Sequence, residues 1–178
     1  MAEFGVSEFI LVVAAVAIGI TIFGFTEAYL VPNYSFTNAQ QQANSISQSV
    51  FVSISPPGIS TSGEAFLGYI YSPTYSGNFF IVAFCVNPNE LPSLSVVTPS
   101  SEPFTIELTN GAKATEATLP RVYDTNGQIL SSNVIAYSVP SNQPFEILGN
   151  SNSNNVLVVW IIYYSSGYYF RITYTYTG

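Results

Sequence analysis

Acid–base chemistry has almost no raw material in this chain. There is no histidine, and Cys85 is the only cysteine. Cys85 sits in the apolar run FFIVAFCV, where a lone thiol with no base beside it reads as a buried core residue. Glu102 and Glu107 are close in sequence, but they fall near a predicted strand with no second acid motif. No G-x-S-x-G, P-loop or dinucleotide fingerprint occurs. Ten scattered acidic residues motivate no metal site. The reading is a protein that is not an enzyme and needs no cofactor or metal. Only Lys113, Arg121 and Arg171 are basic, against a net charge of −7. Nucleic-acid binding is therefore not expected, because phosphate contacts need a basic surface.

What the spacing does offer is association. Ala15 and Gly19 form a small-xxx-small pair, with Gly24 following, and small residues let helices approach closely. Asn33-Tyr34-Ser35 is an N-glycosylation acceptor, so Asn33 is the candidate glycan site if the protein is exported. Tyrosine is dense near the C-terminus, at Tyr163, Tyr164, Tyr168, Tyr169, Tyr174 and Tyr176. Such residues either stack on sugars or pack across strands and between subunits, the second being the commoner role.

These groups must be carried by two kinds of element. Phe9–Phe25 (FILVVAAVAIGITIFGF) is interrupted only by Thr21. Extended to Val31 it supplies 23 positions, enough to span a bilayer. Ser7 and Glu8 suit a helix start. Pro32 then removes a backbone donor and predicts a kink. Beyond it, Asn33–Ser49 is polar, with Phe36, Ala39, Ala43 and Ile46 in a narrow apolar stripe, and predicts a second helical stretch. The whole helix would be about 70 Å long, more than a membrane is thick. No Lys or Arg precedes Lys113 to orient a membrane segment. That points to a basic leader, removed ahead of Met1; a plain start at Met1 is the other reading.

From Val50 the pattern changes to short strands and turns. Strands are predicted over Val50–Ser55, Ala65–Tyr71, Phe79–Val86, Leu94–Val97, Phe104–Thr109, Thr118–Tyr123, Gln128–Val139, Phe145–Leu148, Val156–Tyr164 and Tyr168–Thr177. Ser72–Asn78 reads as a long hairpin loop. Asn126-Gly127 is a strong hairpin signal, and Ser165-Ser166-Gly167 a three-residue one. Val156–Ile162, apolar on both faces, reads as a central strand covered by the sandwich core and by a helix or a neighbouring subunit. The fold class is α+β: a long N-terminal hydrophobic helix (1–49), kinked near Pro32, followed by an all-β, immunoglobulin-like sandwich (50–178). Charged residues make up only 7%. A surface of amides and hydroxyls changes little when acid neutralises carboxylates, which suits a harsh exterior as well as it suits a densely packed polymer.

Phe4-Gly-Val-Ser-Glu-Phe-Ile-Leu-Val-Val-Ala-Ala-Val-Ala-Ile-Gly resembles the N-terminus of archaeal type IV pilins and the related archaellins. The resemblance covers about 30 residues. It implies a leader cut by a prepilin peptidase and a helix that waits in the cell membrane. An assembly machinery then moves that helix into the core of a helical homopolymer, with a β-rich domain facing outward. It also implies that Glu8, fifth from Phe4, helps register an incoming subunit, with Ala15, Gly19 and Gly24 at the helix contacts. The expected role is an extracellular adhesive pilus, with glycans on its sheath and with twitching and DNA uptake as further expectations. An archaellum subunit, a single-pass anchored exterior binding or cell-envelope protein, and a secreted enzyme with an uncleaved anchor are the alternatives.

Overall fold

In a computed structural model the structure describes residues 2–60, 63–95, 97–99, 104–149 and 155–177. The chain divides into two compact units, Met1–Asn38 and Ala39–Gly178. The architecture is α+β: an apolar N-terminal helix, then an all-β region.

Helix α1 runs over Ala2–Phe25 and α2 over Val31–Ser47. Between them Thr26–Leu30 forms a π-helical turn, in which the Val31 N–H donates to the carbonyl of Thr26, five residues back. The irregularity expected at Pro32 thus lies in the turn just before it. A proline has no N–H to give and crowds the preceding turn, and a π turn relieves that crowding without ending the helix. Thr21, Thr26 and Thr37 return their hydroxyls to the carbonyls of Ala17, Ile22 and Asn33, four residues back. Each hydroxyl is thereby satisfied within the helix itself.

In the second unit, the stripe predicted on α2 is real at Ala39 and Ala43, both fully buried. Gln40 and Asn44 donate to the carbonyl of Thr125 at 2.9 and 3.3 Å, and Ser165 donates to Gln42 Oε1 at 2.7 Å. This last part of α2 is therefore pinned to the β region by both alanine packing and amides.

Ten strands follow. The first sheet has the order β1 (Phe51–Ile54), β3 (Gly63–Tyr71), β8 (Pro144–Gly149), β5 (Thr105–Leu108), with β2 (Gly58–Ser60) pairing on β3 as well. Pro56-Pro57 separates β1 from β2 along one edge of β3. The second sheet closes into a five-stranded barrel in the order β10 (Tyr168–Tyr176), β6 (Thr115–Tyr123), β7 (Ile129–Pro140), β4 (Asn78–Val86), β9 (Val156–Ser165). The seam between β10 and β6 is parallel, through Tyr169↔Val122 and Phe170↔Tyr123. β7 pairs with β6 along most of its length but with β4 only through its last residues, Tyr137–Pro140. That stagger lets the sheet curl shut. The predicted open sandwich is thus partly a barrel.

Alternate residues of β4 and β9 fill the barrel: Val82, Phe84 and Val86 meet Val158, Trp160 and Ile162, with Leu119, Val122, Val134 and Ala136 opposite. The Phe84 and Trp160 rings meet edge to face at 5.4 Å. The other faces of these strands, Ile81, Leu157, Val159 and Ile161, are also buried. So are Phe66, Ile70, Ile106, Phe145 and Ile147 on the inner face of the first sheet. The double-sided burial expected of Val156–Ile162 is therefore met inside one chain.

Three local expectations need correction. The strand expected at Leu94–Val97 is not formed by its described residues: Pro88–Ser93 forms a 3-10 helix with an Asn87 capping box, and Leu94 and Ser95 follow it as a turn, Leu94 buried, while Val96 lies outside the described residues. Pro88 and Pro92 favour that start and stop. Ser72–Asn78 is not a hairpin loop, because β3 and β4 belong to different sheets. The Ser166-Gly167 turn has two residues, not three, since Tyr168 pairs directly with Ser165. Both turn residues have positive φ, 51° and 89°, the geometry that matches strand twist in a two-residue hairpin. At Asp124–Gln128 only Gly127 is left-handed (φ 88°), while Asp124 Oδ1 accepts from the N–H groups of Asn126 and Gln128.

Candidate functional site

The candidate site is the outside of α1. Its side chains are apolar in every direction, so no face of it is suited to water. Phe9 is 69% exposed, Leu11 70% and Ile20 67%, and every large apolar side chain from Val6 to Val31 is at least half exposed. The helix is long and apolar enough to cross a membrane.

The predicted association residues lie on this surface. Glu8, Ala15, Gly19 and Gly24 are all exposed helical positions. A Cβ added at Gly5, Gly19 or Gly24 would meet nothing within 4 Å. Glycine inside a helix costs roughly 1 kcal/mol relative to alanine. Within one subunit no close approach offsets that cost. Phe25 and Tyr29 stack at 5.5 Å across the π turn, which also carries the exposed Glu27. Asn33 is exposed on the first turn of α2, its carbonyl taken by Thr37.

The C-terminal tyrosines split into two groups. Tyr163 is buried and meets Tyr75 edge to face at 5.1 Å. Tyr164 and Tyr176 are about half exposed, and Tyr164 lies 4.9 Å from Tyr169. Burial and the neighbouring Tyr163 push the Tyr75 phenol above its ordinary pKa, and burial and Tyr164 do the same at Tyr169. Packing thus takes some of these rings and leaves others on the surface.

Arg171 was not singled out by its sequence context. It is buried, donates from Nη2 to the Ser95 carbonyl at 3.0 Å, and lies over the Trp160 and Tyr174 rings at 4.9 and 5.1 Å. Burial lowers its pKa, opposed by Tyr174 and Asp124. The signal available beforehand was an arginine inside a strand of aromatics, a common cation–π setting. The Arg171 Nη1 is buried without a hydrogen-bond partner, so part of the cost of burying the cation is offset only by the two rings and the Ser95 carbonyl.

Among the described residues no cluster of three or more His, Cys, Asp or Glu could hold a metal. Cys85 is buried in β4. Glu102 lies outside the described residues, and Glu107 lies on β5 opposite Glu146 of β8.

No protein-family model matches the chain, and no curated protein does. Among solved structures it is similar to the solution NMR structure of a conjugate transposon protein (27–141) from Bacteroides vulgatus, at 9% identity and TM-score 0.27, over 64% of this chain and 71% of that one. A likeness that slight carries no argument about fold or activity.

Proposed function

We propose that this chain is a structural subunit of an extracellular filament of the archaeal type IV pilus kind. One observation carries the reading: an N-terminal helix that is apolar all round and, in the single subunit, almost wholly uncovered. Burying its large side chains against copies of itself would contribute on the order of 20 kcal/mol, counting only the part still exposed. That exceeds the general cost of association. The helix is held in the cell membrane before assembly and released by a prepilin peptidase and its assembly machinery. In the filament it lies in a bundle core, with Glu8, Ala15, Gly19 and Gly24 at the contacts. The β region, read as an immunoglobulin-like sandwich with one sheet curled shut, forms the outer sheath. That sheath, glycosylated at Asn33 or on Ser/Thr loops, meets surfaces in adhesion.

Low-dose electron imaging of material sheared from cells tests this. Filaments that contain the chain, with helix density at their centre, support it. A detergent-stable monomer with no filaments on the cells overturns it and leaves a tethered exterior domain. Loss of swimming on deletion would instead make the polymer an archaellum.

A further inference from the structure

The outer face of the first sheet is unlike the rest of the β surface. Tyr71 pairs directly with Phe51, and their rings lie 6.5 Å apart. Leu67 and Tyr69 continue the same face of β3, since alternate residues of a strand share a side. All four are exposed, Phe51 at 67% and Leu67 at 58%. Leu67 pairs across the sheet with Glu146, and Glu146 with Glu107. Two carboxylates therefore stand directly opposite each other beside an aromatic stripe, which is unfavourable; Lys113 pairs with Glu107 from its other side but gives its ammonium to Glu116.

The chain has three cations to offer. Lys113 is bonded to Glu116 at 3.2 Å. Arg171 is buried. Arg121 on β6 is exposed and, among the described residues, forms no ion pair. It pairs with Ser132 on the neighbouring strand β7. The barrel thus carries one exposed cation on β6. The first sheet carries two carboxylates among apolar and aromatic ones.

We infer that the Arg121 surface of one copy docks on the Glu107–Glu146 face of the next, forming a head-to-tail contact within the sheath. This rests on the polymer reading above. Charge complementarity selects a second copy as occupant. The patches differ, so the contact is not self-complementary about a two-fold axis, and a head-to-tail contact propagates into a ring or an open helix. It would give the outer layer a directional grip separate from the helical core.

The test uses the full chain expressed in cells that make the filament. Arg121→Glu is expected to lower sheared filament tenfold or more while subunit in the membrane stays at its normal level. Glu107→Lys with Glu146→Lys should do the same. The three changes together should restore filament. Normal filaments from Arg121→Glu, or no rescue by the triple variant, would overturn the docking. If Arg121→Glu subunit fails to accumulate, wild-type filaments decide: their disassembly temperature should fall between low and about 1 M salt, where the charge pair is screened. Indifference to salt overturns the docking as well. Wild-type cells without any filament refute the polymer reading; filaments present but indifferent to these charges refute the docking alone.

Discussion

Replacing Gly19 with leucine separates the free subunit from the helix bundle that the polymer reading requires. In the free subunit nothing lies within 4 Å of where the new Cβ would sit. Leucine is the better helix former by about 0.7–1 kcal/mol, so Gly19→Leu should slightly favour α1. The β region should melt as before, within about 0.5 kcal/mol, because a Cβ at Gly19 meets nothing within 4 Å. Packed against other helices, the same change adds four carbons to a seam of small residues. Overpacking of that kind costs about 1–3 kcal/mol at each contact, and a helix inside a bundle has more than one neighbour. At about 1.4 kcal/mol per tenfold, two such contacts lower the assembly constant by about 30-fold or more. The assay pairs filament yield after shearing with a thermal melt followed by the fluorescence of Trp160, the only tryptophan. Val16→Leu, an exposed position already large, is the control. Filaments from Gly19→Leu as abundant as those from Val16→Leu would show that close approach at Gly19 is not needed.

Three further outcomes follow from the fold. Gly68 lies directly opposite Phe145, whose ring would sit 2.3 Å from an added Cβ, so Gly68→Ala should cost about 1–3 kcal/mol and lower the melting temperature by several degrees in a calorimetric scan. The raised phenols of Tyr75 and Tyr169 make the folded state hold its protons longer than the unfolded chain. Their contribution is fully present below pH about 10 and is lost as pH rises through the folded values, so Tyr75→Phe should flatten the alkaline loss of stability seen by circular dichroism. At the other end, the ion pair described, Lys113–Glu116, is exposed on both sides. Melting temperatures at pH 7 and pH 3 should then differ by no more than about 5 °C, and collapse at pH 3 would remove the reading of a charge-poor surface suited to acid.

The helix and most strands were legible because their signals are local. Phe9–Phe25 has no polar side to hide, and Asn126-Gly127 marks its hairpin whichever residue carries the positive φ. Sheet membership was not legible. Ala65–Tyr71 and Phe79–Val86 look like neighbours across a loop, yet one strand joins the first sheet and the other the barrel. Partner choice is settled by burial on both faces at once, which a window of residues does not contain. Barrel closure depends on a parallel seam between β6 and β10, far apart in the chain, and nothing in either segment announces it. The aromatic and acidic face of the first sheet was hidden for the same reason: Phe51, Tyr71, Glu107 and Glu146 come from four strands.

Pro56-Pro57 has a consequence for the polymer proposed above. An uninterrupted outer strand would offer a continuous row of free N–H and C=O groups to any neighbour. Here that row is cut into stubs of four and three residues, with two imino acids between them that have no hydrogen to donate. Crowded side by side, these domains are denied an easy route to strand exchange and to irreversible clumping. In the proposed filament, growth would then be left to side-chain and helix contacts rather than to strand pairing.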